Sequence, residues 1–145
     1  MATVRQPCAT EKRQTLMRKI LFFLLAMTFV ACSESLEDIE KRAGQTAVEY
    51  YRLLQKQRYA DFVSGMYGAD SIPQNYRQQM EDNAAMFMSE QNKAHKGIAD
   101  ITLSRCKADT ARHTAEAYIT IHYADSVKEV VCVPLVMRND TWYMK

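Results

Sequence analysis

The sequence predicts an α+β domain, with N-terminal helices packed on one face of a four-stranded antiparallel meander. Three observations predict it. Apolar residues recur at three-and-four spacing from Leu36 onward. Past Gly97 the period changes to strict alternation of apolar and polar residues. The alternating runs are separated by turns too short to hold a crossover helix, so consecutive strands are antiparallel neighbours.

The helices come first. Leu36, Ile39, Ala43, Ala47, Tyr50, Tyr51 and Leu54 make one apolar stripe, with Gly44 as a soft spot inside it. Ser35 with Asp38 makes a cap at its start, and Glu37 and Asp38 suit the positive end of a helix. A shorter helix is expected over Tyr59–Met66, with Phe62, Val63 and Met66 inward. The glycines of Gly65-Met66-Tyr67-Gly68-Ala69-Asp70 mark a break. Ser71 is expected to cap a third helix, with Pro73 in its first turn. That helix runs from Gln74 to about His95, carries Tyr76, Met80, Phe87 and Met88 on its stripe, and ends at Gly97.

The strands follow. Ile101 and Leu103 alternate with Thr102 and Ser104. Ala115, Ala117, Ile119, Ile121 and Tyr123 alternate with Glu116, Tyr118, Thr120 and His122. Val130 to Met137 is apolar on both faces, and Thr141-Trp142-Tyr143-Met144 makes a last strand. Turns are expected at Asp109–His113, Asp125-Ser126 and Asn139-Asp140.

Composition narrows the classes of function. With 145 residues, 48% apolar and 25% charged, the chain suffices for one domain with a true core. Five of its 19 basic residues precede Cys32, against one acid. The remainder carries more acids than bases, alternating in sign, which disfavours nucleic acid as a partner.

Ile20–Ala31 is an uncharged run of 12 residues. As a helix it would measure about 18 Å, against about 30 Å for a bilayer core, so it is too short to span one. Arg18-Lys19 before it and small residues after it fit a secretory signal peptide. Phe29-Val30-Ala31-Cys32 resembles the lipobox of bacterial lipoproteins, with Phe29 in place of the usual leucine. The resemblance implies cleavage before Cys32 and lipid attachment to its thiol. The acidic stretch Ser33-Glu34-Ser35-Leu36-Glu37-Asp38 resembles the surface-export signal of Bacteroidota lipoproteins. Residues 1–16 are polar and unpatterned, so Met17 is the expected start, or residues 1–16 form an added leader. The expected organisation is leader plus signal peptide over 1–32, a short tether over 33–36, and a folded domain over 37–145.

Within that domain several stretches stand out: Ala47-Val48-Glu49-Tyr50-Tyr51, Arg58-Tyr59-Ala60-Asp61-Phe62-Val63, Asp70-Ser71-Ile72-Pro73-Gln74-Asn75-Tyr76 and Val133-Pro134-Leu135-Val136. Lys96-Gly97-Ile98, Ala115-Glu116-Ala117 and Trp142-Tyr143-Met144-Lys145 complete them. On these residues and the order of its elements the chain resembles the nuclear-transport-factor-two-like (NTF2-like), cystatin-like cone. More narrowly, it is similar to a family of small Bacteroidota lipoproteins of uncharacterised activity. The resemblance implies a curved sheet, a cone-like cavity and an envelope address, but no reaction.

Chemistry-bearing residues are sparse. Cys106 and Cys132 fall on the first and third strands, about 9.5 Å apart across a meander, beyond the roughly 7 Å reach of a disulfide. If Ile119 pairs with both Leu103 and Cys132, then Cys132 lies in the core and Cys106 points outward. His95, His113 and His122 share no ligand spacing with one another or with Cys or carboxylates, so neither a metal nor a cofactor is expected. NTF2-like relatives include isomerases and dehydratases, which makes Glu116, Tyr118 and His122 candidate acid–base groups, opposed by Tyr50 or Tyr51. The alternation with Ala117, Ile119 and Ile121 instead turns Glu116 and His122 to solvent. Met80, Met86 and Met88 sit on or near one helix stripe, as core filling or as an adaptable surface. Tyr50, Tyr51, Tyr76, Phe87 and Trp142 are the expected lining of an apolar cavity at the cone mouth. Ser71, Thr110 and Ser126 each follow Asp and precede an apolar or small residue, resembling Bacteroidota O-glycosylation acceptors.

The expected protein is therefore lipid-anchored to the outer membrane of a cell envelope. It is expected to act as a non-catalytic module for a small apolar ligand or a neighbouring envelope protein. An isomerase- or dehydratase-like enzyme and a structural envelope subunit are the alternatives.

Overall fold

A computed structural model describes residues 34–145. The expectations for the leader, the signal peptide and Cys32 lie outside the described residues. Helix α1 spans Leu36–Gln55, α2 Tyr59–Ser64 and α3 Gln74–His95, with a 3-10 turn at Ala69–Ser71. Strands β1 (Ile98–Asp109), β2 (Thr114–Tyr123), β3 (Lys128–Arg138) and β4 (Thr141–Met144) form one open sheet. Their order is β1-β2-β3-β4 and every pairing is antiparallel. The predicted α+β meander is the fold observed. Among the described residues no helix is long and apolar enough to cross a membrane.

Helix α1 starts where the sequence indicates. Ser35 Oγ accepts the Asp38 N–H at 3.2 Å, and its hydroxyl donates to the Asp38 carboxylate at 2.6 Å. Arg42 ties this end to the β3–β4 turn by ion pairs to Glu34 (2.9 Å) and Asp140 (3.0 Å). The stripe buries Ala43, Ala47 and Leu54 together with Val48, while Leu36 stays exposed. Gly44 is a contact point rather than a weakness: a Cβ there would lie 2.5 Å from Leu103 Cδ2 and 3.2 Å from Cys106 Cβ. The helix backbone therefore lies against β1 as only glycine allows.

The main core fills the space between α1 and the sheet. Ala115, Ala117, Ile119, Ile121 and Tyr123 of β2 are all buried, as their alternation predicts. Val133 and Leu135 of β3 and Trp142 and Met144 of β4 complete this face. A smaller cluster of Leu54, Ala84 and Met88 joins α1 to α3. Tyr51 and Phe62 touch both clusters, ring against ring edge at 5.8 Å.

Several local expectations are corrected. Helix α2 ends at Ser64, leaving Met66 in a bridge to Met144. Ser71 does not cap α3. It sits in the 3-10 turn and donates to the Gly68 carbonyl at 2.7 Å, while Pro73 occupies the cap position itself. The third helix closes through Lys96 in the left-handed region (φ 59°), one residue before Gly97.

The two cysteines have exchanged faces relative to expectation. Ile119 pairs with Val131, so Cys132 pairs with Tyr118 and stands exposed on the outer face. In β1 the register shifts between Leu103 and Arg105, so a bulge at Ser104 flips the parity beyond it. Cys106 then pairs with Ala117 and packs half-buried beneath α1. Both cysteines are free, on opposite faces of the sheet.

Candidate functional site

An apolar cavity of about 490 Å³ lies where the two core clusters part. Helix α1 contributes Tyr51 and Leu54, α2 contributes Phe62, and the following loop contributes Met66. Helix α3 lines the opposite wall with Met80, Asn83, Ala84 and Phe87. The floor is the inner face of the sheet, with Ile121, Glu129 and Val131. A volume of this size suits a small organic molecule, and the wall is hydrocarbon and aromatic except at two points.

The space exists because α3 packs on its neighbours through small and flexible side chains. Only Ala84 and Met88 of α3 are buried, whereas Tyr76 and Met86 are exposed. Tyr51 and Phe62 prop the gap that α3 leaves. Burial pushes the Tyr51 phenol above its ordinary value, and the nearby Glu129 charge adds to this. The phenol stays protonated at neutral pH and can donate.

Glu129 and Asn83 are the polar points. Glu129 pairs across the sheet with Ile121. Its Oε2 accepts a hydrogen bond from the Tyr123 hydroxyl at 2.8 Å. Burial first, and this bond second, raise the Tyr123 phenol above its ordinary value, so it remains a donor. Tyr123 is in turn stacked under His95 at 4.5 Å, and His95 Nδ1 meets Asp125 at 2.8 Å. The end of α3 is thus latched to the β2–β3 turn beside the carboxylate.

Of the five expected lining residues, the structure brings Tyr51 and Phe87 to the cavity. Tyr50, Tyr76 and Trp142 do not line it. Tyr50 points to the opposite flank of α1, where its ring covers Gly65 and its hydroxyl donates to the Trp142 carbonyl at 3.0 Å. Trp142 is consumed by the main core, and Tyr76 lies before the stretch of α3 that reaches the gap. Met80 lines the cavity, Met88 is core and Met86 is solvent-facing.

Glu116, Tyr118 and His122 share the sheet face turned away from the helices and the cavity. There the Tyr118 hydroxyl donates to Glu116 at 3.3 Å, the Arg105 guanidinium lies 4.0 Å from the Tyr118 ring, and His122 Nε2 pairs with Thr102 Oγ1 at 2.9 Å. Tyr50 and Tyr51 therefore cannot oppose them. Ser71, Thr110 and Ser126 are exposed, the first in the 3-10 turn and the others in β-turns. Among the described residues no three His, Cys, Asp or Glu side chains are grouped to hold a metal ion.

Glu129 escaped sequence reasoning. Its signal was parity: stepping back by twos from Leu135 and Val133 through Val131 arrives at Glu129 on the inner face.

No family model and no curated protein matches the sequence. Among solved structures, an NTF2-like protein from Campylobacter jejuni, named as a candidate transpeptidase, is similar. The match has a TM-score of 0.58 at 12% identity and covers 69% of this chain and 94% of that one. At that identity the likeness concerns architecture alone, and it agrees with the order of helices and strands described above: the chain has an NTF2-like α+β fold.

Proposed function

We propose that this chain is a lipid-anchored envelope protein whose domain is a non-catalytic binding module, holding a small apolar molecule in the cavity between α1, α3 and the sheet. The cavity of about 490 Å³, walled by Tyr51, Leu54, Phe62, Met80 and Phe87, is the observation that carries the binding half of the reading. The anchoring half rests on the signal-like run Ile20–Ala31 and the lipobox-like Phe29-Val30-Ala31-Cys32. The same features favour a Bacteroidota lipoprotein, attached to the outer membrane on its periplasmic side or at the cell surface, with neighbouring envelope proteins as partners. The exposed Ser71, Thr110 and Ser126 suit O-glycosylation there.

A second reading, an isomerase- or dehydratase-like enzyme, has one observation in its favour. Glu129 brings a carboxylate to the cavity wall with the Tyr123 phenol bonded to it. The binding reading is preferred because Glu129 is exposed at the mouth rather than enclosed where it would meet a substrate dry.

Intact mass and detergent partitioning of the full chain, beside Cys32→Ala, test the anchor. The expected result is a lipid-sized increment and detergent partitioning that Cys32→Ala abolishes. Further increments mapping to Ser71, Thr110 or Ser126 report glycosylation. If both proteins stay in the aqueous phase at unmodified mass, the anchoring half fails.

A further inference from the structure

The cavity carries charge of one sign. Among the described residues no Lys, Arg or His lines it, while Glu129 from the sheet and Asn83 from α3 are its polar lining side chains. Glu129 forms no ion pair among the described residues. Its one hydrogen bond there is the Tyr123 hydroxyl on Oε2, which leaves Oε1 open as an acceptor. The bond also fixes the carboxylate in place, because Tyr123 is itself 3% exposed and clamped by the His95 ring.

We propose that the cavity selects an apolar amine: a molecule with a hydrocarbon or aromatic body and a protonated amino group. This rests on the binding reading above and names its ligand class. The body replaces water against Leu54, Phe62 and Phe87, where burial of apolar surface supplies the affinity. The ammonium sits at the mouth, donating to Glu129 Oε1 and to the Asn83 side-chain carbonyl. The ring faces of Tyr51 and Phe87 are attractive to a cation as well. An anionic ligand of the same body would meet Glu129 with like charge and nothing to offset it.

Three fluorescent probes with one body separate these terms: 1-naphthylmethylamine, 1-naphthalenemethanol and 1-naphthoate, titrated into the full chain carrying Cys32→Ala. A charge-assisted hydrogen bond at a solvated mouth should make the amine about tenfold tighter than the alcohol, with the acid weakest. Glu129→Gln keeps an acceptor for Tyr123 and removes the charge. It should bring the amine to the alcohol's affinity and leave the alcohol unchanged. Equal binding of amine and alcohol, or a preference that survives Glu129→Gln, overturns the amine inference while the apolar-binding reading stands. If none of the three binds, both fall.

Discussion

The two ends of α1 meet the sheet in different ways. Near its start, Ala43, Gly44 and Ala47 let the helix backbone settle onto Leu103, Cys106 and the small residues Ala115 and Ala117, with no room left. Near its end, Tyr51 and Leu54 hold α3 and the sheet apart, and the cavity opens. One helix, over one sheet, is a closed seam at one end and a mouth at the other. Residue size alone sets the difference: backbone contact excludes a pocket, and rings that cannot interdigitate create one.

Mutations at the two ends should behave differently. Ile119→Ala, in the sealed core at 0% exposure, should cost about 3 kcal/mol in urea unfolding, because the packed surroundings collapse little. A fall below 1 kcal/mol would mean that this end is loosely packed. Thiol chemistry gives the next largest contrast. Burial, helped by the Glu40 charge, pushes the Cys106 thiol up to about 11, whereas Cys132 is exposed on the other face. At pH 8 a maleimide should modify Cys132 about a hundredfold faster than Cys106 in the native protein. Peptide mapping reads this, and equal rates would mean that the bulge at Ser104 does not turn Cys106 inward.

Gly44→Leu drives a side chain into Leu103 and Cys106 and should destabilise by about 2 kcal/mol through overpacking. Phe87→Ala, at the open end, should cost only about 1 kcal/mol, since its ring already borders a gap, yet it should weaken binding of apolar probes severalfold. If Phe87→Ala destabilises as much as Ile119→Ala, the gap is filled in solution by something other than solvent.

The smallest effect concerns the latch beside the cavity. The hydrogen bond from His95 holds the Asp125 carboxyl below its ordinary value of 3.8. A carboxyl depressed on folding stabilises fully above its unfolded value and loses that contribution as pH falls through the lower, folded one. The stability difference between wild type and Asp125→Asn should therefore be present at neutral pH and shrink below pH 3.8. Chemical melts at several pH values measure it, and a constant difference would mean that the latch is not electrostatic.

The fold was legible because its periods are clean. The three-and-four spacing of α1 and the alternation of β2 each point one face at the same core, and both faces pack there, with Leu36 at the start of α1 the exposed exception. Short polar turns then left a meander as the only arrangement. The site was less legible, for local reasons. The bulge at Ser104 breaks the period that places Cys106, and nothing in Leu103-Ser104-Arg105 announces it. Tyr50 and Tyr51 are adjacent on the stripe, but a helix turns by about 100° per residue, so only one of them faces the gap. The continuous run Val130–Met137 hides its own parity, and with it the inward Glu129. Cavities depend on where packing fails, and sequence periodicity reports where it succeeds.

One further arrangement bears on how the domain behaves when crowded. Both margins of the sheet carry backbone groups that could recruit a stranger's strand. Along β1, Gln55 donates to the Ile98 and Ala99 carbonyls, Arg52 donates to Ile101, and Glu40 accepts the Ala108 N–H. Along β4, the loop after α2 takes the outer positions: Tyr67 donates to the Met144 carbonyl and Met144 donates to Gly65. The helices and loop that shape the interior thus also occupy part of each rim. Neighbouring copies of the domain then find fewer free backbone groups through which to pair strand against strand.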